Sequence, residues 1–169
     1  MFMAKPPISP IKIGAENLNY FDVLVKEVQP YFDDINIKLS FDGYKDTMIR
    51  YSELKQEDVN EAWDIAKEFN MWSEYFAELC SLTQKLFLDS ETEKIEKIAI
   101  ISTNRDNKNV SNGERLANKD ETVIQVRKKR NCLQSFYNEL ELKITYLERA
   151  YYHCKATVEW NSQSINKKI

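Results

Sequence analysis

Glycine and proline are scarce in this chain, at 3 and 4 of 169 residues. So few turn-formers cannot make many tight reversals, which argues against all-β sandwiches and barrels. Three glycines also cannot supply a phosphate-cradling P-loop or a dinucleotide fingerprint. There is one histidine, His153, and the three cysteines (Cys80, Cys132, Cys154) form no CxxC pair. That pattern excludes a disulfide framework and fits a reducing compartment. His153 and Cys154 are neighbours in a helical stretch, so their side chains diverge and do not converge on one metal. The acidic pairs Asp33-Asp34 and Glu57-Asp58 suit solvation and helix starts more than acid/base work. No apolar run reaches the roughly 18 residues of a membrane span, and the N-terminus lacks a signal-peptide core. These absences predict a soluble, cytoplasmic protein that is not an enzyme and needs no cofactor or metal.

What is present is a chain of globular composition, 43% hydrophobic and 30% charged. Its net charge of −3 hides an asymmetry. Residues 1–93 carry 9 Lys+Arg against 18 Asp+Glu, a net of −9, and residues 94–169 carry 15 against 9, a net of +6. Either the basic half meets a polyanion, or acidic and basic faces meet between subunits.

Residues 1–14 hold three of the four prolines and read as an extended arm. Leu18 to Val28 predicts a brief helix ended by Pro30. Ile35, Ile37, Leu39 and Phe41 alternate with polar residues, Asp42-Gly43 is a turn dipeptide, and Thr47 to Tyr51 is β-prone. Together they predict a small β-hairpin. From about Gln56 to Ile101 there is no Gly or Pro, and Val59, Ala62, Ala66, Phe69, Phe76, Cys80, Thr83 and Phe87 mark one helical face. This predicts a long helix with a possible break at Asp89-Ser90. Residues 102–114 read as the main loop. In the last helix, Val126, Leu133, Leu140, Leu147 and Cys154 recur every seven residues. A second row (Val123, Arg130, Tyr137, Ile144, Tyr151, Val158) is offset by four, with Arg130 its one polar break. Such spacing selects coiled-coil packing, with the first long helix folded back as an antiparallel partner. Phe136, Tyr146 and Tyr152 lie off that seam and suggest a second face for another subunit. The expected fold is mainly α: a long antiparallel helical hairpin or coiled coil over 53–169, with a small N-terminal α+β cap over 1–52.

Between and after the turn runs a series of cations: Lys94, Lys97, Arg105, Lys108, Arg115, Lys119, then Arg127, Lys128, Lys129 and Arg130. The last four wrap one helical turn as a collar. Placed cations suffice to neutralise phosphates along a single strand. The plainer reading is a charged turn that solvates a coiled coil. Residues 88–135 contain no aromatic, so base stacking would need Phe136 or Tyr137. Trp63, Trp72, Tyr75 and Phe76 cluster on the first long helix as core or as a partner face.

Two stretches resemble a known family. Glu61-Ala62 through Met71-Trp72-Ser73-Glu74-Tyr75-Phe76 is similar to the first helix of the UvsY-type recombination mediators of tailed phages. Leu116 to Val123 (LANKDETV) is similar to that family's entry into its last helix. The resemblance covers roughly residues 57–161. It implies a non-enzymatic, ring-like homo-oligomer that acts in the host cytoplasm. It further implies binding to single-stranded DNA, displacement of single-strand-binding protein and loading of a RecA-type recombinase. The family's DNA-contacting stretch falls between its long helices. Lys94 to Arg115 keeps cations and Gly113 there but lacks the family's aromatics. Assembly through the last helix would use Leu133, Tyr137, Leu140, Ile144, Leu147 and Tyr151. The competing class is a coiled-coil structural or adaptor protein that binds partner proteins and no nucleic acid. A third is an inhibitor whose acidic half mimics nucleic acid.

Overall fold

The computed structural model describes residues 19–104 and 110–166. They form five helices: α1 (Tyr20–Asp33), α2 (Asp42–Glu53), α3 (Val59–Asn104), α4 (Val110–Ala117) and α5 (Glu121–Asn166). Among the described residues there is no strand, and no helix is long and apolar enough to cross a membrane. The chain divides into two compact units, each built on part of α3 and part of α5. The α2 unit takes Leu39–Leu79 and the chain from Leu140 onward. The α1 unit takes Phe21–Lys38 and Cys80–Glu139. In each unit the early part of one long helix meets the late part of the other, so the two pack antiparallel as their heptads predict.

In the α1 unit, Phe21, Leu24, Val28 and Phe32 form the buried stripe of α1. Phe136 of α5 has no exposed surface. It stacks on Phe21 at 6.1 Å and meets Phe32 edge-on at 6.0 Å. Of the three residues expected to await another subunit, Phe136 is thus covered here by α1, while Tyr146 and Tyr152 are exposed on α5. Pro30 does not end α1, which runs to Asp33 with Pro30 inside it. The last turn is held by buried Phe32 and by a left-handed cap: Asn36 (φ 59°) lets Asn36 N donate to Asp33 O and Ile37 N to Phe32 O, both at 2.9 Å. This six-to-one and five-to-two pair closes the helix end. α3 passes Asp89-Ser90 unbroken. Ser90 is buried and its hydroxyl donates to Leu86 O at 2.7 Å, so the polar side chain is satisfied within the helix. Part of the expected 102–114 loop is helix as well, since α4 spans Val110–Ala117 with Ala117 buried.

The expected β-hairpin is absent. Residues 42–53 form α2, which buries Tyr44, Thr47, Met48 and Tyr51 on helical spacing. The alternating Ile35 to Phe41 segment is a cap and linker: Ile37 closes α1, while Leu39 and Phe41 turn inward. Asp42 takes the first turn of α2, where the dipole favours a carboxylate. Gly43 is needed for close approach, because a Cβ there would lie 3.0 Å from the Trp72 ring. Around it Phe41, Tyr44, Trp72, Tyr75 and Phe76 pack as a ring lattice with centroids 5.1–6.2 Å apart. Arg50 then ties α2 to α3, with Nε 2.8 Å from Glu61 and Nη1 2.5 Å from Glu68. The Thr47 hydroxyl lies 2.6 Å from the other Glu68 oxygen. These donors hold the Glu68 carboxyl below its ordinary value although burial pushes it the other way.

Candidate nucleic-acid interface

The cationic series divides by what each side chain touches. Arg130 occupies its heptad position by pairing with Glu91 of α3, while its guanidinium sits 5.5 Å over the Phe87 ring. Lys94 pairs with the same Glu91 from one turn away. The two cations hold the Glu91 carboxyl below its usual range, the Lys94 hydrogen bond contributing most. This triad is internal structure. Lys97 pairs with Glu93 at 3.2 Å, and Lys129 lies 5.5 Å over the Tyr31 ring of α1. Arg105 and Lys108 lie outside the described residues.

Four cations remain around the turn from α4 into α5. Arg115 lies in the last turn of α4 and is exposed, 3.4 Å from the Asn112 side chain. Lys119 is exposed in the turn itself. Arg127 reaches back 2.5 Å to Asn118, which brings it beside that turn. Lys128 is exposed on the following position. Asp120 sets the turn by capping α5: its carboxylate accepts from Thr122 N at 3.0 Å and from the Thr122 hydroxyl at 2.7 Å. Over residues 110–130 there are 6 Lys+Arg against 3 Asp+Glu. None of these four forms an ion pair among the described residues. A compact, hydrated cation cluster on an ordered turn can bind phosphates, because releasing their counterions drives association. Phe136 is fully buried and Tyr137 is half-buried, so neither presents an open ring face for base stacking.

The row expected to serve assembly is used inside the chain. Leu133, Leu140 and Leu147 have no exposed surface, and Tyr137, Ile144 and Tyr151 are half-buried beside them. On α3, Trp72, Tyr75 and Phe76 belong to the ring lattice. Trp63 is exposed, with Lys67 Nζ 5.8 Å from its ring. Among the described residues no three His, Cys, Asp or Glu side chains gather as a metal set. Cys80 and Cys154 are buried. Cys132 donates to Glu27 at 3.6 Å, and burial with that carboxylate pushes the thiol up to about 11, which keeps it unreactive. His153 Nδ1 lies 3.1 Å from the Tyr51 hydroxyl, a contact that helps fix α2 on α5.

Comparisons with family models, with curated proteins and with solved structures find no match for this chain.

Proposed function

We propose that this protein is a single-stranded-DNA-binding recombination mediator, a homo-oligomer that helps a RecA-type recombinase load onto strands covered by single-strand-binding protein. The observation that carries the DNA-binding part is the cluster of Arg115, Lys119, Arg127 and Lys128 around the α4–α5 turn, with Arg127 half-buried, the other three exposed and none with a carboxylate partner among the described residues. The resemblance of residues 57–161 to UvsY-type mediators supplies the recombinase and the protein to be displaced. Four cations per chain give modest affinity alone, and an oligomer multiplies it by holding several clusters on one strand.

The test is fluorescence anisotropy of a labelled single-stranded oligonucleotide across a salt series. Wild-type protein should bind at micromolar concentration or tighter, with an affinity that falls steeply as salt rises. Charge reversal of the four (Arg115→Glu, Lys119→Glu, Arg127→Glu, Lys128→Glu) should abolish binding and leave helical circular dichroism intact. The exposed control Lys55→Glu should bind as wild type. Wild-type protein that fails to bind at low salt overturns the reading and leaves the protein-binding adaptor.

A further inference from the structure

The face of α3 that points away from the core carries a second seam. Opposite the buried residues Thr83, Leu86 and Ser90, two rows recur every seven positions: Leu88, Ile95 and Ser102, and Lys85, Thr92 and Ala99. Leu88 is 54% exposed and Ile95 58%, in a chain whose other outward faces are rich in charge. From Leu88 to Ser102 these two rows contain no charged residue. Its hydroxyls make no demand on water. Thr92 Oγ1 donates to Leu88 O at 3.1 Å and Ser102 Oγ to Ala99 O at 3.0 Å. Side chains folded back in this way bury like small apolar ones.

We infer that this seam pairs with the same seam of a second copy, antiparallel, about a two-fold axis passing near Glu93 and Lys94. In antiparallel coiled coils each residue of one row shares a layer with a residue of the other row on the partner helix. Reversed about that point, Leu88 meets Ala99, Ile95 meets Thr92, and Lys85 meets Ser102. Every layer sets a large side chain against a small one, which lets two helices approach closely without voids. The stretch from Lys85 to Ser102 is about 26 Å long. A seam of that length buries on the order of 1,000 Å² in total, at the lower edge of what a specific pair requires, so micromolar pairing is expected. Asp89 and Glu96 lie on the same edge of the seam, where Asp89 pairs with Lys85 of its own helix at 2.7 Å. Burial of the seam side chains depends little on salt, whereas phosphate binding weakens as salt rises, which separates the two activities. The inference does not depend on the nucleic-acid reading.

Cross-linking on the full chain, with Cys132→Ser as background, tests the register. An equimolar mixture of Leu88→Cys and Ala99→Cys proteins should form a disulfide-linked dimer under mild oxidation, and neither variant alone should. Leu88 and its copy stand about 16 Å apart along the axis in this register, beyond disulfide reach. Self-cross-linking of Leu88→Cys alone would mean a parallel pair and would overturn the inference, as would no cross-link in the mixture. Sedimentation equilibrium gives an independent check. Ile95→Arg should lower the association constant at least tenfold with unchanged circular dichroism, and unchanged association would also overturn it.

Discussion

The two units share the same pair of long helices and differ in almost everything laid upon them. Counting described residues, the α2 unit carries 7 Lys+Arg against 13 Asp+Glu and the α1 unit 11 against 12. The α2 unit is closed by a lattice of five rings and an arginine clamp, the α1 unit by one phenylalanine gripped between two others. The paired heptads set the scaffold, while the short helix laid against each stretch sets charge and local stability. In the α1 unit the cations that the core does not use gather at one turn. In the α2 unit the excess acid faces solvent and repels polyanions.

The largest predicted effects come from the two cores. Phe136→Ala removes a fully buried ring that contacts Phe21 and Phe32, at a cost of about 3–5 kcal/mol. Phe76→Ala should cost less, toward the low end of that range, because the flanking rings of its lattice can close in. Hydrogen exchange read helix by helix distinguishes the units. Phe136→Ala should expose the amides of α1 far more than those of α2, and equal loss in both would end the view of two separately closed units.

Next come the cations. Arg130 and Arg127 are three positions apart, yet one faces Glu91 and the other the α4–α5 turn. Arg130→Leu fills a heptad position with an apolar side chain and should leave single-strand affinity within about twofold. Arg127→Leu should weaken binding and lower the salt slope by about one. The reverse ranking would move the interface from the turn to the seam.

Acid should act on the units unequally. The carboxyls of Glu68 and Glu91 are both held below their ordinary value of 4.5. Their stabilising contribution is therefore complete above that value and is lost as pH falls through the lower folded one. Glu68 receives its donors from a different helix, Thr47 and Arg50 of α2, so protonation releases α2. The main donor to Glu91 is Lys94 on the same helix, so protonation there costs less packing. Acid titration below pH 4.5 should loosen α2 before α1. Glu68→Gln should remove most of that difference.

The heptad rows were legible in the sequence because five repeats accumulate more pattern than any alternative can imitate. Ile35 to Phe41 offers only four alternating positions, and four fit a strand or a helix cap with its linker equally well. Asp42-Gly43 carries the chemistry of a turn, and only Trp72, 29 positions on, shows why glycine belongs there. The cation series was visible as charge, but charge does not reveal its partner: Glu91, which takes up both Arg130 and Lys94, is 39 residues from Arg130. The outward seam of α3 had its own signal, an absence of charge at seven-residue spacing around Leu88 and Ile95, masked by the stronger buried row beside it.

The smallest effects concern the two positions where the chain leaves α1 and enters α2, and they should have opposite signs. Asn36 sits in the left-handed region at φ 59°, where a side chain costs energy that glycine avoids. Asn36→Gly should be neutral or stabilising by a few tenths of a kcal/mol, because relief of backbone strain is offset by a more flexible unfolded chain. Gly43 invites the reverse substitution, since alanine in a helix gains about 0.5–1 kcal/mol over glycine. Here the added methyl would meet the Trp72 ring at 3.0 Å, and Tyr44, Tyr75 and Phe76 pack against that ring. A ring so enclosed cannot yield a few tenths of an ångström without disturbing the lattice, so Gly43→Ala should be net destabilising by about 1 kcal/mol. Chemical denaturation of the two variants reads both signs. A stabilising Gly43→Ala would mean that the ring lattice is looser than its distances indicate.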